Sequence, residues 1–253
     1  MLRLPRDAPR LFRRIIQTIN NTMKKFIIPL AALALLFACT PVDDKSGTDG
    51  NDNNNKQYSA VDLGLSVKWA SCNIGANAPE EYGDYYAWGE TETKENYEWQ
   101  TYKWYDGSAR LTKYNTDTSY GTVDNKTVLD LEDDVAHVKL GGSWRMPTYS
   151  EVDELMSTRY DSSYKWEWRS LNGHNGWLVT CLVNGNSIFL PAAGNRYDTY
   201  CDVGSRGDYW SSSLDGTNYP DHAWRFYFTS DYVDDEYGGV RNHGFSVRPV
   251  FSE

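Results

Sequence analysis

The apolar residues of this 253-residue chain follow two different patterns. Phe26–Ala38 is an apolar run of 13 residues, broken only by a proline, and the residues directly after it are polar. Beyond residue 57, short apolar segments alternate with polar turns. The long run is shorter than the roughly 20 residues that a membrane-spanning helix needs. The pattern predicts a leading segment over 1–38, a tether over 39–57 and one folded domain over 58–253.

Most apolar segments of the predicted domain have the length and spacing of β-strands. The predicted strands are 58–63, 67–72, 84–88, 177–183, 187–190, 224–229 and 245–250. Asn184-Gly185 favours a tight hairpin turn between two of them. Trp177–Val183 is almost entirely apolar, which predicts cover on both faces. Around Trp224, apolar and polar residues alternate, which predicts one buried face. Residues 91–125 have no clear period and are predicted to form long loops.

Two segments have the spacing of amphipathic helices. The first is predicted over 126–138, where the apolar positions are Val128, Leu131, Val135 and Val138. The second is predicted over 148–158, because Thr148 with Glu151 three residues later forms a capping-box pattern. Its buried stripe is expected to be Val152, Leu155 and Met156. Between the helices, Trp144 is expected to fill the core and Arg145 to pair with a helix carboxylate.

The apolar run near the start has the features of a bacterial lipoprotein signal. It follows Met23 and two lysines, and it ends in Ala38-Cys39, which resembles a lipobox. At such a site the cysteine sulfur is acylated and the chain is cut just before it. We therefore predict lipid attachment at Cys39; an ordinary secretory signal or a buried helix is the alternative. Two starts fit the residues before the run. Translation begins at Met23, or it begins at Met1 and a long basic region precedes the apolar run.

The segment after Cys39 is rich in Asp, Asn and Gly, so it buries too little apolar surface to fold. We predict a solvated tether that reaches about 20–25 Å on average. Its acidic residues close to the lipid site resemble the signal that sends lipoproteins of the Bacteroides group to the outer cell surface. The expected location is therefore the outer membrane, with the domain lipid-anchored and exposed outside the cell.

Charge limits the partners of the domain. The chain has 25 basic and 35 acidic residues, and residues 1–38 hold seven of the basic ones and one acidic one. The 215 residues from Cys39 onward therefore carry 18 basic and 34 acidic side chains, a formal charge of −16. Such a surface repels nucleic acid, which is not an expected partner.

All ten Trp lie beyond residue 57, and so many aromatic side chains predict that some are exposed at a recognition surface.

Catalytic and metal-binding patterns find little support in the sequence. The serines at 211–213 follow no nucleophile-elbow pattern, and the four histidines are scattered. Asp133-Asp134 and Asp234-Asp235 could serve as glycosidase carboxylates, but adjacent acids are expected by chance in so acidic a chain. No cofactor or metal is expected. Cys72, Cys181 and Cys201 allow one disulfide in an oxidising compartment, and the pair stays open.

Seven ordered segments resemble the family called the Fibrobacter succinogenes major paralogous domain, over about residues 58–251. They are Val61-Asp-Leu-Gly-Leu65, Trp69-Ala-Ser-Cys-Asn-Ile-Gly75, Glu81-Tyr-Gly-Asp-Tyr-Tyr-Ala-Trp-Gly-Glu90, Gly141-Gly-Ser-Trp-Arg-Met-Pro-Thr148, Leu190-Pro-Ala-Ala-Gly194, Tyr209-Trp-Ser-Ser-Ser213 and Ser246-Val-Arg-Pro-Val250. The resemblance implies an α+β fold of the C-type-lectin-like class, close to the formylglycine-generating enzymes. Such a fold has a twisted antiparallel sheet with two helices and long loops on one side.

The resemblance implies a surface protein without a settled enzymatic activity. Calcium-dependent lectins of the wider class use an acid-or-amide-Pro-Asn/Asp loop and a Trp-Asn-Asp strand. This chain has only Tyr219-Pro220-Asp221 in that place, so calcium-dependent sugar binding is not expected. The formylglycine-generating enzymes use a late pair of reactive cysteines, and nothing in the sequence places Cys181 beside Cys201.

Residues 195–244 mix Tyr with Asp, Ser, Asn, Arg and His. Tyr provides broad contact area at low entropic cost, and small polar residues provide adaptable hydrogen bonds. The composition resembles the variable face of diversified C-type-lectin-like proteins, although solvated loops would look similar. We predict an exposed ligand-binding face that contains Tyr197, Tyr200, Tyr232, Tyr237 and Arg241.

The leading hypothesis is a non-enzymatic binding module on the cell surface. Its ligand would be a glycan or a protein on a host or neighbouring cell. The alternatives are an enzyme that acts on polysaccharide and a structural or fimbria-associated surface subunit. The sequence does not identify the ligand.

Overall fold

The structure, a computed structural model, describes residues 58–252 except 109, 198, 216–218 and 235–237. The predicted lipid site Cys39, the tether and Tyr237 lie outside the described residues. The described residues all belong to one compact unit. None of the helices within 58–252 has the length and apolar character that crossing a membrane would require.

Short antiparallel strands build most of the domain. They are β1 (Ala60–Val61), β2 (Lys68–Ala70), β3 (Trp144–Arg145), β4 (Tyr164–Leu171), β5 (His174–Cys181), β6 (Ser187–Pro191), β7 (Asn195–Tyr197), β8 (Thr199–Cys201), β9 (Arg206–Leu214), β10 (His222–Thr229), β11 (Val233–Asp234), β12 (Gly238–Val240) and β13 (Val250–Phe251). One sheet has the order β1-β2-β13-β3 and another has the order β4-β5-β6. In a third sheet β10 pairs with β9, β11 and β12, and β7–β8 is a separate hairpin. With two α-helices beside these sheets, the predicted mixture of helix and antiparallel sheet is confirmed.

The second predicted helix forms where its capping pattern indicates. Helix α2 covers Tyr149–Ser157, and a 3-10 turn over Thr158–Tyr160 follows it. Thr148 and Glu151 make both hydrogen bonds of the capping box. The expected stripe of Val152, Leu155 and Met156 is buried. A capping box satisfies two amide groups that would otherwise lack partners at the helix start, so the local sequence was sufficient here.

The first predicted helix was placed too early. The structure has a 3-10 turn over Leu131–Asp133 and then helix α1 over Val135–Leu140. Asp134 is the reason, because its carboxylate caps α1 by accepting hydrogen bonds from the amides of Ala136 and His137. Val128, Leu131 and Val138 of the predicted stripe are exposed, and Val135 is buried.

Two expectations about strand burial were wrong. On β5, the Trp177, Val179 and Cys181 side is buried, and the other side is partly exposed because the β4-β5-β6 sheet packs on the core with one face. On β10, Trp224 is only half-buried, while Phe226 and Phe228 are buried. The β9–β10 register shifts between Ala223 and Arg225, so a bulge interrupts the alternation at Trp224.

The junction between the helices matches its predicted role. Trp144 is buried and packs edge-on against Phe251. The guanidinium of Arg145 donates to both carboxylate oxygens of Glu151 at 2.5 and 2.8 Å. The ion pair holds the pKa of Glu151 below its usual range despite the burial of that carboxylate. Strand β3 and helix α2 are thereby joined by a bidentate charge pair.

The segments that carry the family resemblance bond to one another in the core. The Trp88 indole donates to the carbonyl of Ser211 at 2.8 Å, and the Trp210 indole donates to the carbonyl of Tyr86 at 2.8 Å. Both indole rings are buried. Since buried N–H groups need acceptors, these bonds fix how the two segments align.

Arg248 makes the same kind of connection at the end of the chain. It is buried, and its guanidinium donates to the side-chain oxygen of Asn73 at 2.8 Å and to the carbonyls of Ala70 and Phe189 at 3.0 and 2.7 Å. The segment near the start of the domain and the segment at its end are therefore tied through one buried arginine. Trp88, Trp210 and Arg248, which lie in the resembling segments, are therefore residues of the core.

Candidate functional site

Hairpin β7–β8 presents two of the predicted binding residues on opposite faces. In its register Arg196 lies opposite Tyr200, and Tyr197 lies opposite Thr199. Neighbouring residues of a strand point to opposite sides, so Tyr200 shares a face with Arg196 and not with Tyr197. Both tyrosines are well exposed, at 59% for Tyr200 and 50% for Tyr197. The expectation of exposed tyrosines is met at both positions, but they form two surfaces and not one.

The face that carries Tyr200 borders a cleft of about 340 Å³, called here the tyrosine cleft. Its lining residues are Gly83, Asp84, Tyr85, Thr93, Lys94, Glu95, Tyr97, Arg196 and Tyr200. Aromatic rings, a guanidinium, an ammonium and carboxylates are thus present around one concavity. A volume of this size lies within the range of small-molecule sites, and it suits one or two sugar rings or a short peptide segment.

The walls of the cleft are held by hydrogen bonds of their own. The Tyr85 hydroxyl donates to the carbonyl of Ala193 at 2.6 Å, and the Tyr97 hydroxyl donates to the carbonyl of Tyr85 at 2.6 Å. Burial raises the pKa of both phenols above its usual value, so both stay protonated at neutral pH. The Tyr200 ring meets Tyr85 edge-on with ring centres 5.4 Å apart. The cleft is therefore formed before any ligand arrives.

Arg196 connects the hairpin to the opposite wall. Its guanidinium donates to the carbonyls of Lys94 and Glu95 at 3.2 and 3.3 Å. The guanidinium carbon also lies 5.4 Å from the centre of the Tyr97 ring and 4.6 Å from the centre of the Tyr200 ring. These distances are typical of cation–π contacts, so Arg196 is clamped between two tyrosines.

The other face of the hairpin meets β9 and β10. The Tyr197 ring lies 4.6 Å from the ring of His243. Buried Asp208 accepts hydrogen bonds from the Asn195 amide at 3.1 Å, from Arg206 at 2.6 Å and from Arg225. This carboxylate is therefore fully committed to groups within the domain.

His243 sits beside these arginines in its neutral form. Burial is the main cause of its lowered pKa, and Arg225 adds to the effect, so the pKa falls to about 4. Tyr232 is exposed, its hydroxyl donates to Asp234, and its ring is 6.0 Å from that of Tyr227. Tyr232 therefore lies beside β10 and does not line the tyrosine cleft.

Arg241 does not belong to any exposed face, and its predicted exposure was wrong. The side chain is fully buried. Its guanidinium donates to the Tyr102 hydroxyl at 2.9 Å and to the carbonyls of Tyr114, Pro220 and Lys113 at 3.0 Å each. Its sequence neighbour Asn242 is buried as well, so polar residues around Arg241 in the sequence did not indicate a surface position.

The acid pairs have structural partners. Asp133 is buried and is bound by the ammonium groups of Lys103 and Lys113 at 2.7 and 2.6 Å and by the Tyr114 hydroxyl at 2.6 Å. Asp134 caps helix α1. Asp234 is bound by Tyr232, and Asp235 lies outside the described residues.

A group of three carboxylates at Asp130, Glu132 and Asp133 has the proximity of metal ligands. The ammonium of Lys113 already lies 2.7, 3.4 and 2.6 Å from their oxygens. Together with Lys103 at Asp133 and Lys126 at Asp130, this lysine balances the three negative charges that would attract a cation. Among the described residues, Cys72, Cys181 and Cys201 form no disulfide with one another, and the first two are buried.

Three residues of the cleft were missed in the sequence. Tyr85 lies in a segment predicted as a strand, Tyr97 in the stretch treated as loop, and Arg196 beside the tyrosines that were chosen. The density of aromatic residues between 82 and 120 was the available signal, because an irregular segment rich in Tyr and Trp forms a core of its own here.

Comparisons of the chain with known protein families, curated proteins and solved structures find no match.

Proposed function

We propose that this protein is a non-enzymatic binding module displayed on the cell surface, and that the tyrosine cleft takes a glycan or a protein segment of a host or neighbouring cell. The observation that carries the proposal is the Tyr200 ring, which is 59% exposed at a preformed cleft of about 340 Å³. A large ring held in place beside a concavity is the usual centre of binding energy in a recognition site.

The chemistry of the cleft suits a polar ligand with an apolar side. Tyr200 offers a ring for the C–H face of a sugar or for an aliphatic side chain. Thr93 adds a hydroxyl donor, and Asp84 and Glu95 add acceptors. The ammonium of Lys94 already donates to Glu90 and to the carbonyl of Thr101. Because Arg196 and the phenols of Tyr85 and Tyr97 are already hydrogen-bonded, little ordering remains for the ligand to impose.

We further infer the C-type-lectin-like fold of the major paralogous domain family, with a lipid on Cys39 holding the domain at the outer membrane. The segments that resemble the family are joined by buried hydrogen bonds. These bonds support the fold, because each of them links two of the segments. The apolar run that ends in Cys39 supports the anchor. A domain on a tether of about 20 Å would reach ligands close to the membrane surface.

A polysaccharide-acting enzyme is the weaker alternative. A glycosidase needs two carboxylates facing one cleft. Asp133 and Asp134 are instead committed to lysines, a tyrosine hydroxyl and a helix start. These contacts argue against that pair as catalytic acids. The carboxylates at the tyrosine cleft, Asp84 and Glu95, are tested for hydrolysis by the cleavage assay below.

A glycan array and a panel of host and bacterial cells, both probed with the purified protein, test the binding role. Each positive glycan is then incubated with the protein and analysed for cleavage products. The proposal expects selective, reversible retention and an unchanged ligand. Cleavage of a bound glycan would establish the enzyme, and self-assembly into polymers without ligand binding would establish the structural subunit.

The anchor is tested by fatty-acid labelling of the intact chain and of the Cys39→Ser variant. The proposal expects label on the intact chain and none on the variant, which should be released or left unprocessed. Equal labelling of both proteins would contradict lipid attachment at Cys39.

A further inference from the structure

Arg159 occupies an unusual environment at the C-terminal end of helix α2, the end opposite to the capping box. It lies in the 3-10 turn Thr158–Tyr160 that ends the helix. Its guanidinium carbon is 5.8 Å from the centre of the Trp166 ring and 5.5 Å from the centre of the Trp177 ring. Both indoles are fixed, because their N–H groups donate to Thr158 and Thr229 at 2.9 and 3.0 Å.

The other arginines show how unusual this arrangement is. Among the residues that the structure describes, each of the other half-buried or buried arginines donates hydrogen bonds to oxygen; these are Arg145, Arg196, Arg206, Arg225, Arg241 and Arg248. Within the same residues Arg159 has ring contacts but no hydrogen bond and no ion pair. In a domain so rich in acids, no described carboxylate approaches this guanidinium.

The guanidinium of Arg159 is half-buried, and burial lowers its pKa. Its nitrogen atoms are still open to solvent and therefore to a ligand. The planar fork of a guanidinium stacked on aromatic rings leaves its N–H groups pointing along the plane, where they match a carboxylate. An oxyanion at this place would compensate the desolvated charge.

The surroundings favour a single negative charge on a ring-shaped molecule. Lys165, the lysine of β4, is paired with Glu167 at 2.9 Å, and no other described cation contributes to the electrostatic environment of Arg159. One cation matches a monoanionic carboxylate better than a doubly charged phosphate. Tyr160 is 43% exposed, and Trp166 is partly exposed, so an apolar ligand face would find aromatic partners beside the charge.

We propose that Arg159, held over Trp166 and Trp177, is a second ligand site that binds the carboxylate of an acidic sugar. The site shares no residue with the tyrosine cleft, and it does not depend on what the cleft binds. A protein with both sites would hold a glycan that has neutral and acidic residues through two separate contacts, and their effects on affinity would multiply.

Titration of the intact protein with glucuronate, with glucose as the neutral control, tests the site. Indole N–H resonances of Trp166 and Trp177 report binding at the site directly. We expect saturable shifts with glucuronate and affinity at least about tenfold weaker for glucose. Equal response to both sugars, no shift of these two indoles, or tighter binding of inorganic phosphate would overturn the proposal.

Variants separate this site from the rest of the surface. Arg159→Gln should weaken glucuronate binding by at least about tenfold, and Arg159→Lys should also weaken it because the fork is lost. Arg169→Gln, which changes an exposed arginine on β4, should leave the affinity within about twofold. Tyr200→Ala should leave it unchanged as well. Loss of glucuronate binding in the Tyr200 variant but not in the Arg159 variants would place the acidic ligand in the cleft and overturn the inference.

Discussion

The guanidinium carbon of Arg196 lies 4.6 Å from the centre of the Tyr200 ring, and the two residues are directly paired across hairpin β7–β8. The contact fixes the ring while leaving more than half of the side chain exposed. An exposed aromatic ring usually loses rotamer freedom when it binds, and this one has lost much of that freedom already. The pair therefore explains why a tyrosine on a short hairpin can serve as a rigid recognition element.

Arg241 is expected to be a stability residue and not a ligand contact. Arg241→Ala removes four buried hydrogen bonds and leaves three main-chain carbonyls without this donor. We expect a loss of at least about 3 kcal/mol in the free energy of unfolding, measured by urea denaturation. Arg169→Ala, at an exposed position, should cost less than about 0.5 kcal/mol. Similar melting of the two variants would contradict the buried position of Arg241.

The junction between the helices gives a second stability prediction. Thr148→Ala should cost about 1 kcal/mol, since it removes the side-chain cap of α2. Trp144→Ala should cost about 3–5 kcal/mol, because it empties a buried ring site against Phe251. Urea melts of the two variants measure both values. Equal and near-zero costs would mean that neither residue has the packing found here.

His243 predicts a pH dependence of stability. Its pKa is about 4 in the fold and 6.5 in its ordinary state, so the unfolded chain takes up a proton more readily. The stability tied to its neutral form is complete above pH 6.5 and is lost as the pH falls from 6.5 toward 4. His243→Phe keeps a ring beside Tyr197 and cannot titrate.

Urea melts of wild type and His243→Phe at several pH values isolate this contribution, because other titrating groups are common to both. The stability of wild type relative to the variant should decline between pH 6.5 and pH 4. A relative stability that is constant over that range would show that His243 is not buried as a neutral ring.

Local signals in the sequence predicted part of this structure. Thr148 and Glu151 fixed the start of α2, because a capping box depends on a few neighbouring residues. The hairpin around Asn184-Gly185 forms as predicted, but its loop covers 182–186 and is longer than a tight two-residue turn. The alternation of β10 predicted Phe226 and Phe228 as buried, but it failed at Trp224 because the bulge arises from pairing with other strands.

The binding surface was less predictable than the core. Tyr197 and Tyr200 were recognised as exposed, but their division between two faces depends on the register of β7–β8. Arg241 has the same polar neighbours as a surface arginine, and only the fold shows that three carbonyls from two distant segments surround it. Side-chain composition thus indicates a recognition surface, while pairing between strands decides which residues belong to it.

The most direct measurement of the binding role compares two tyrosine variants against a glycan or cell ligand found with the wild-type protein. Tyr200 and Tyr219 are both exposed tyrosines, and of the two Tyr200 lines the cleft. Tyr200→Ala should weaken binding by at least about tenfold, with the urea midpoint unchanged, because a recognition tyrosine contributes about 2 kcal/mol. Tyr219→Ala should bind that ligand like wild type. Undiminished binding by Tyr200→Ala would contradict the assignment of the tyrosine cleft as the ligand site.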